Sequence, residues 1–212
     1  MGEDRNSLGI ALSMPLAREM SPRQYGSPAS PDGFRSMSDL DSRFGQAIVP
    51  AYVHPCEQAL PPRSLVVVKL EDGALLAALR AMLKAVDRSV YPSHGFHSDY
   101  SMIWVVDLEG LLRIGLEEDD HDRFSVAIPR SRAVRGRPKR GHPALVAGEA
   151  ARIGGELLYD VSASEPKWVL SNRSGRYGLV EDRSERHLRN VAEILAVCGV
   201  EVEIDFRSSG GA

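Results

Sequence analysis

Three groups of residues in this chain combine types and spacings that could do chemistry. The first runs Gly141-His142-Pro143-Ala144-Leu145-Val146-Ala147-Gly148, then Gly154-Gly155-Glu156-Leu157, then Asn172-Arg173-Ser174-Gly175-Arg176-Tyr177. Gly148 and the Gly154-Gly155 pair allow backbone conformations or close approaches that a Cβ would block. Asn172 to Gly175 directly follow a strand-like run. A tight turn there would aim successive backbone N–H groups, with the Asn172 and Ser174 side chains, at one point, and such a nest suits an anionic or polar group. His142 sits among glycines in a loop, where binding and packing are equally reasonable uses of an imidazole.

The second group is Ser93-His94-Gly95-Phe96-His97. His-x-x-His could hold a metal, but a further ligand such as Asp99 or His121 would have to come from elsewhere. Nothing marks one, so two exposed loop histidines are the simpler reading and no metal site is expected. The third group is a basic loop, with Arg130, Arg132, Arg135, Arg137, Lys139 and Arg140 interleaved with Gly136 and Pro138. It could attract phosphate or an acidic protein surface, or it could be a solvated loop.

The order and spacing of His142, Gly148, Gly155, Glu156, Asn172, Ser174, Gly175 and Tyr177 resemble the signature of a domain of bacterial toxin- and effector-type proteins, also present in plant IQ-motif calmodulin-binding proteins. The resemblance spans about residues 100 to 206. It implies an ADP-ribosyltransferase-like enzyme that takes NAD and modifies a macromolecular acceptor. In that reading His142 grips the nicotinamide ribose, Tyr177 stacks on the nicotinamide, and Glu203 or Glu201 is the carboxylate that polarises the ribose and orients the acceptor. Glu156 joins the catalytic set. Gly148, Gly155, Asn172, Ser174, Gly175 and Arg176 would line the cofactor. Two departures stand out: Pro143-Ala144 replaces a Ser-Ser, and Arg176 replaces the histidine of Ser-Gly-His-Tyr. The second departure keeps open a non-catalytic protein-binding module of the same fold.

Each of these roles has a plainer competitor. Glu201 and Glu203 alternate with Val200, Val202 and Ile204, as on any half-exposed strand. Tyr177 fits a core or edge aromatic at least as well as a stacking platform.

The elements that would position these residues follow from pattern. Ser64 to Leu70 reads as a buried strand. Asp72 could cap a helix whose apolar face is Leu75, Leu76, Leu79, Met82, Leu83 and Val86. Met102 to Val106 and Leu111 to Leu116 form a hairpin about the turn Asp107-Leu108-Glu109-Gly110. Phe124 to Ile128 is a short strand, and Glu156 to Tyr159 pairs with Lys167 to Ser171. Ser184 opens a helix faced by Leu188, Val191, Ile194, Leu195 and Cys198, with Gly199 as its terminator. Val200 to Phe206 is the last strand. The expectation is an α+β domain with a mainly antiparallel sheet of about seven strands and two principal helices.

Composition sets the outer limits. The chain has 212 residues, 43% of them hydrophobic and 26% charged, enough for one full core. A net charge of −3 argues against a general nucleic-acid coat, though the basic loop leaves a local contact open. Cys56 and Cys198 form no CxxC pair, so reduced thiols are expected, with Cys198 in the core. No apolar run approaches the roughly 18 residues of a membrane span, and the N-terminus lacks the pattern of a Sec signal. Residues 1 to 45 are rich in Ser, Pro and Gly and poor in aliphatics. They read as a disordered arm, an idle leader or an export signal, ahead of a domain at 46–207 and a loose tail at 208–212. The expected location is the cytoplasm, or a target cell into which the protein is injected.

Overall fold

A computed structural model describes residues 37–69, 74–89, 99–119, 139–160 and 163–209. The expected cap Asp72, the histidines His94, His97 and His121, the strand Phe124 to Ile128 and the basic residues Arg130 to Arg137 lie outside these residues. So do most of the N-terminal arm and the end of the tail. The described elements, in chain order, are helices α1 (Met37–Phe44) and α2 (Pro55–Ala59), strand β1 (Val66–Val67) and helix α3 (Leu75–Ser89). Next come β2 (Asp99–Asp107), β3 (Leu112–Gly115), β4 (Glu118–Asp119), β5 (Lys139–Arg140) and a 3-10 turn (His142–Val146). The chain then forms β6 (Ala151–Asp160), β7 (Lys167–Ser171), α4 (Glu185–Val197) and β8 (Val202–Asp205).

The six-stranded sheet has the order β1-β3-β2-β6-β7-β8, and β4 and β5 form a separate ribbon. Every pairing in the large sheet is antiparallel except β7 with β8, which is parallel. That exception has a cause. A parallel neighbour cannot be reached by a hairpin, and α4 is the crossover between the two strands. The class is α+β with a mainly antiparallel sheet, as expected.

Strand alternation divides β2 between two apolar layers. Met102, Trp104 and Val106 face the larger core, with Leu112, Ile114, Ile153, Leu157, Trp168 and Leu170. Helices α1, α3 and α4 cover it through Leu40, Phe44, Leu75, Leu79, Leu188, Val191 and Leu195. Ile103 and Val105 face the other way and meet Leu145, Val146, Ala151 and Tyr177.

Helix α4 follows its sequence pattern closely. Ser184 is the N-cap, and Leu188, Val191 and Leu195 are buried along one face. Each of these three contributes about 1.5–3 kcal/mol relative to exposure. At the other end Gly199 has φ +77°. Its N–H donates to Ala196 O at 2.9 Å and Val200 N donates to Leu195 O at 2.9 Å, which is the paired bonding of a Schellman terminus.

The domain boundary near residue 46 needs correction. Residues 37–44 of the expected arm form α1, and Leu40 (4% exposed) and Phe44 (0%) belong to the main core. The helix is tied down by a buried charge. Arg152 on β6 reaches Asp41, and its Nη1 also donates to Gly45 O at 3.2 Å. Beside it, the buried guanidinium of Arg183 donates to Gln46 O at 2.6 Å and to Arg152 O. In the described part of the run Ser64 to Leu70, β1 itself covers Val66 and Val67, and Val68 N adds a bond to Leu112 O at 2.8 Å.

Candidate functional site

The structure brings the His142–Tyr177 residues together around the middle of β6. The 3-10 turn starts at His142, with Pro143 at its first positions, and ends on Ala147 and Gly148, both left-handed (φ 52° and 83°). The His142 ring lies against the strand, with Nε2 2.9 Å from Gly155 O. The turn after β7 crosses the same strand. An ideal Cβ on Gly178 would overlap Asn172 O and Gly154 O, and one on Gly155 would overlap Ser171 O. These two glycines let backbone pass over backbone. Tyr177 then packs above Gly154, its own Cβ 3.2 Å from where a Gly154 Cβ would stand.

The convergence is a buried one. The ribose-gripping and nicotinamide-stacking roles expected of His142 and Tyr177 need accessible side chains, but Tyr177 and Asn172 are 0% exposed, Ser174 is 2% and His142 is 8%. Their polar atoms have partners within the fold. Tyr177 donates its hydroxyl to Glu149 O at 2.9 Å. Burial pushes its phenol well above the ordinary tyrosine range, with Arg176 opposing, so the group is a neutral donor. Asn172 Nδ2 donates to Gly178 O at 3.1 Å and Arg207 O at 2.8 Å, and its Oδ1 accepts from Arg207 N at 2.8 Å. That amide therefore joins the turn to the chain leaving β8. Ser174 Oγ accepts from Tyr177 N at 3.3 Å. Of the plainer readings, Tyr177 as a core aromatic matches its place.

The remaining residues are distributed differently. Glu156 is half-buried on β6, opposite Ile103 on one side and Ser171 on the other, and so shares the face of Tyr177. Gly175 is exposed, with nothing within 4 Å of a Cβ position. Arg176 reaches across to α2. Its Nη1 donates to Glu57 Oε2 at 2.6 Å, and Glu57 is 1% exposed. Glu203 lies on β8 at the sheet edge, two strands beyond β6, and pairs with Lys167. That pairing raises the Lys167 pKa above its ordinary value, chiefly through the hydrogen bond. Glu201 is exposed just before β8. The carboxylate assigned to polarise a ribose is thus not brought to His142 or Tyr177.

Residues that sequence reading overlooked lie next to this core. In α2, His54 is the N-cap, Pro55 follows it, and Glu57 completes a capping box. The pattern His-Pro-Cys-Glu contains the signal, a glutamate three places after the cap with proline between. Glu57 collects three donors: His54 N at 2.9 Å, Gly141 N at 3.1 Å and Arg176 Nη1 at 2.6 Å. It therefore links α2, the start of the 3-10 turn and the turn after β7. The two described members of the basic loop are also engaged. Lys139 pairs with Glu117 at 3.3 Å, and Arg140, 6% exposed, lies 3.7 Å from Glu118.

Among the described residues no group of three or more His, Cys, Asp or Glu could hold a metal ion, and no helix is long and apolar enough to cross a membrane. No protein-family model matches the chain, and neither a curated protein nor a solved structure matches it.

Proposed function

We propose that this domain is a non-catalytic protein-binding module built on the effector-type fold that its sequence resembles. The observation that carries the reading is Tyr177. A nicotinamide-stacking ring must present a face to its ligand, whereas this ring is fully buried with its hydroxyl committed to Glu149 O. Arg176 supports the same reading. At the position of the signature histidine it places a guanidinium, and that guanidinium is anchored on Glu57. The signature positions serve to cross the 172–178 turn over β6 and hold it there. The partner in this reading is a protein target recognised by the surface, with no NAD bound.

The competing reading, ADP-ribosyl transfer from NAD, is what the test separates. Purified protein is incubated with labelled NAD and a cell lysate as acceptor pool, and its melting is measured with and without NAD. The expected result is no label transfer above a heat-denatured control and no NAD-dependent shift in Tm. Transfer by the folded protein would overturn the proposal and restore the enzymatic reading.

A further inference from the structure

We propose that Cys56 and His54 form a base-assisted thiol site that takes small disulfides by thiol–disulfide exchange. The inference is independent of the function proposed above. Cys56 Sγ lies 3.0 Å from His54 Nδ1. The same Nδ1 faces the backbone N–H of Cys56 at 3.3 Å. A backbone N–H can only donate, so Nδ1 carries the lone pair and the ring proton sits on Nε2. The thiol therefore faces a basic nitrogen whose tautomer is set by the main chain, not by the thiol.

The base is also held in place. His54 N donates to Glu57 Oε2, and Glu57 is fixed in turn by Gly141 N and Arg176. The Glu57 charge beside the pair is offset by the Arg176 guanidinium, and the nearby Lys139 ammonium is paired with Glu117. On its other side the thiol has a second acceptor, donating to Lys139 O at 3.6 Å, and that longer bond gives way when the proton passes to His54. His54 is half-buried and Cys56 is 6% exposed, which favours a small uncharged reagent over a bulky one. Cys198 provides the internal contrast. It is equally buried, but it lies in the apolar core at the end of α4.

In the exchange the Cys56 thiol gives its proton to His54 Nδ1, which releases the cap bond from Cys56 N, and the thiolate attacks one sulfur of the disulfide. A new S–S bond forms as the old one breaks, and the departing thiolate takes up the proton. The protein thiol is oxidised and one half of the reagent is reduced to a thiol. The adduct displaces Lys139 O, and so loosens β5 from α2.

The test uses the full chain and 2-hydroxyethyl disulfide at neutral pH, with adducts mapped by peptide mass spectrometry. Cys56 is expected to form the mixed disulfide at least about tenfold faster than Cys198. The comparison variant is His54→Asn. Its amide oxygen can still cap α2, so the helix is retained, but it cannot accept a proton. Its Cys56 rate should fall about tenfold at unchanged thermal stability. Equal labelling of both cysteines, no labelling of Cys56 in the native protein, or an unchanged rate in His54→Asn would each overturn the proposal.

Discussion

Arg176 Nη1 and Glu57 Oε2 are 2.6 Å apart, joining two segments separated by most of the domain sequence. The carboxylate is buried and the guanidinium is about one-third exposed, with side-chain accessibilities of 1% and 36%. Removing Arg176 leaves a buried charge with two backbone donors and no counter-ion. Losing one partner of a fully buried pair costs about 3–5 kcal/mol. Water can reach Arg176, so we expect Arg176→Ala to cost nearer about 2 kcal/mol. Urea unfolding measures this directly. A change below about 0.5 kcal/mol, the scale of an ordinary surface substitution, would show that the pair does not hold the turn.

Arg176→His introduces the histidine of the resembled signature and tests whether that residue alone confers activity. The imidazole is shorter than the guanidinium, so contact with Glu57 is expected to be lost and stability to fall. No NAD-dependent transfer should appear, because Tyr177 remains inaccessible. The labelled-NAD assay decides the matter, and transfer gained by this single change would contradict the structural role assigned to the site.

The glycines around β6 make opposite predictions at neighbouring positions. A methyl on Gly178 would overlap the carbonyls of Asn172 and Gly154, both backbone atoms that cannot swing aside. Gly178→Ala should cost about 3 kcal/mol or prevent folding. Gly175→Ala meets nothing within 4 Å and should stay within about 0.5 kcal/mol of wild type. Thermal melts of the two variants test the crossing, and similar losses would count against it.

Two ionisable groups give pH dependences of opposite sign. The Tyr177 phenol is raised by burial, so the native state holds its proton more tightly than the unfolded chain. Its contribution is complete below the unfolded value, about 10, and is lost as pH rises above it. His187 is lowered, first by burial and then by Arg183. Its Nδ1 accepts from Ser184 N at 3.3 Å in the cap of α4, which requires the neutral ring. That contribution is complete above the unfolded value, about 6.5, and is lost as pH falls through the lower native value. Ultraviolet difference titration of phenolate and NMR titration of the His187 ring check the two signs. Tyr177→Phe should remove the alkaline part of the dependence, and His187→Gln the acidic part.

What could be read in advance depended on whether periodicity or pairing determined the outcome. Leu188, Val191 and Leu195 repeat at helical spacing, and Gly199 terminates them, so α4 was visible in the sequence. The β2–β3 hairpin was visible for a similar reason, with Asp107 Oδ1 accepting from Glu109 N and Leu111 N at 3.0 and 2.9 Å. Arg152 and Arg183 were not visible, because a charge in sequence reads as solvated until its distant partner is known. The spacing of the signature pointed to one shared site for His142, Asn172, Ser174 and Tyr177, and these residues lie buried around β6. It could not indicate burial, since the residues that bind a ligand are the same types that satisfy a crossing of two chain segments. Helix α1 was missed because it is short and mostly polar, although Leu40 and Phe44 stand one helical turn apart.

The clearest consequence of α1 concerns where the chain can be shortened. A chain beginning at Gln46 lacks Leu40 and Phe44, each contributing about 1.5–3 kcal/mol of buried apolar surface. It also loses the bond from Asn190 Nδ2 to Arg43 O at 2.7 Å, which joins α1 to α4. Arg152 would lose Asp41 and Gly45 O, but opening that end of the sheet admits water to the guanidinium, so the apolar loss dominates. About 3–6 kcal/mol is a large share of the stability of a typical domain, about 5–15 kcal/mol. A chain beginning at Gln46 should therefore melt well below one beginning at Ser36 and be cut faster by protease. Measuring Tm and proteolysis on the two chains isolates the helix, and equal values would mean that α1 contributes nothing to the core it occupies.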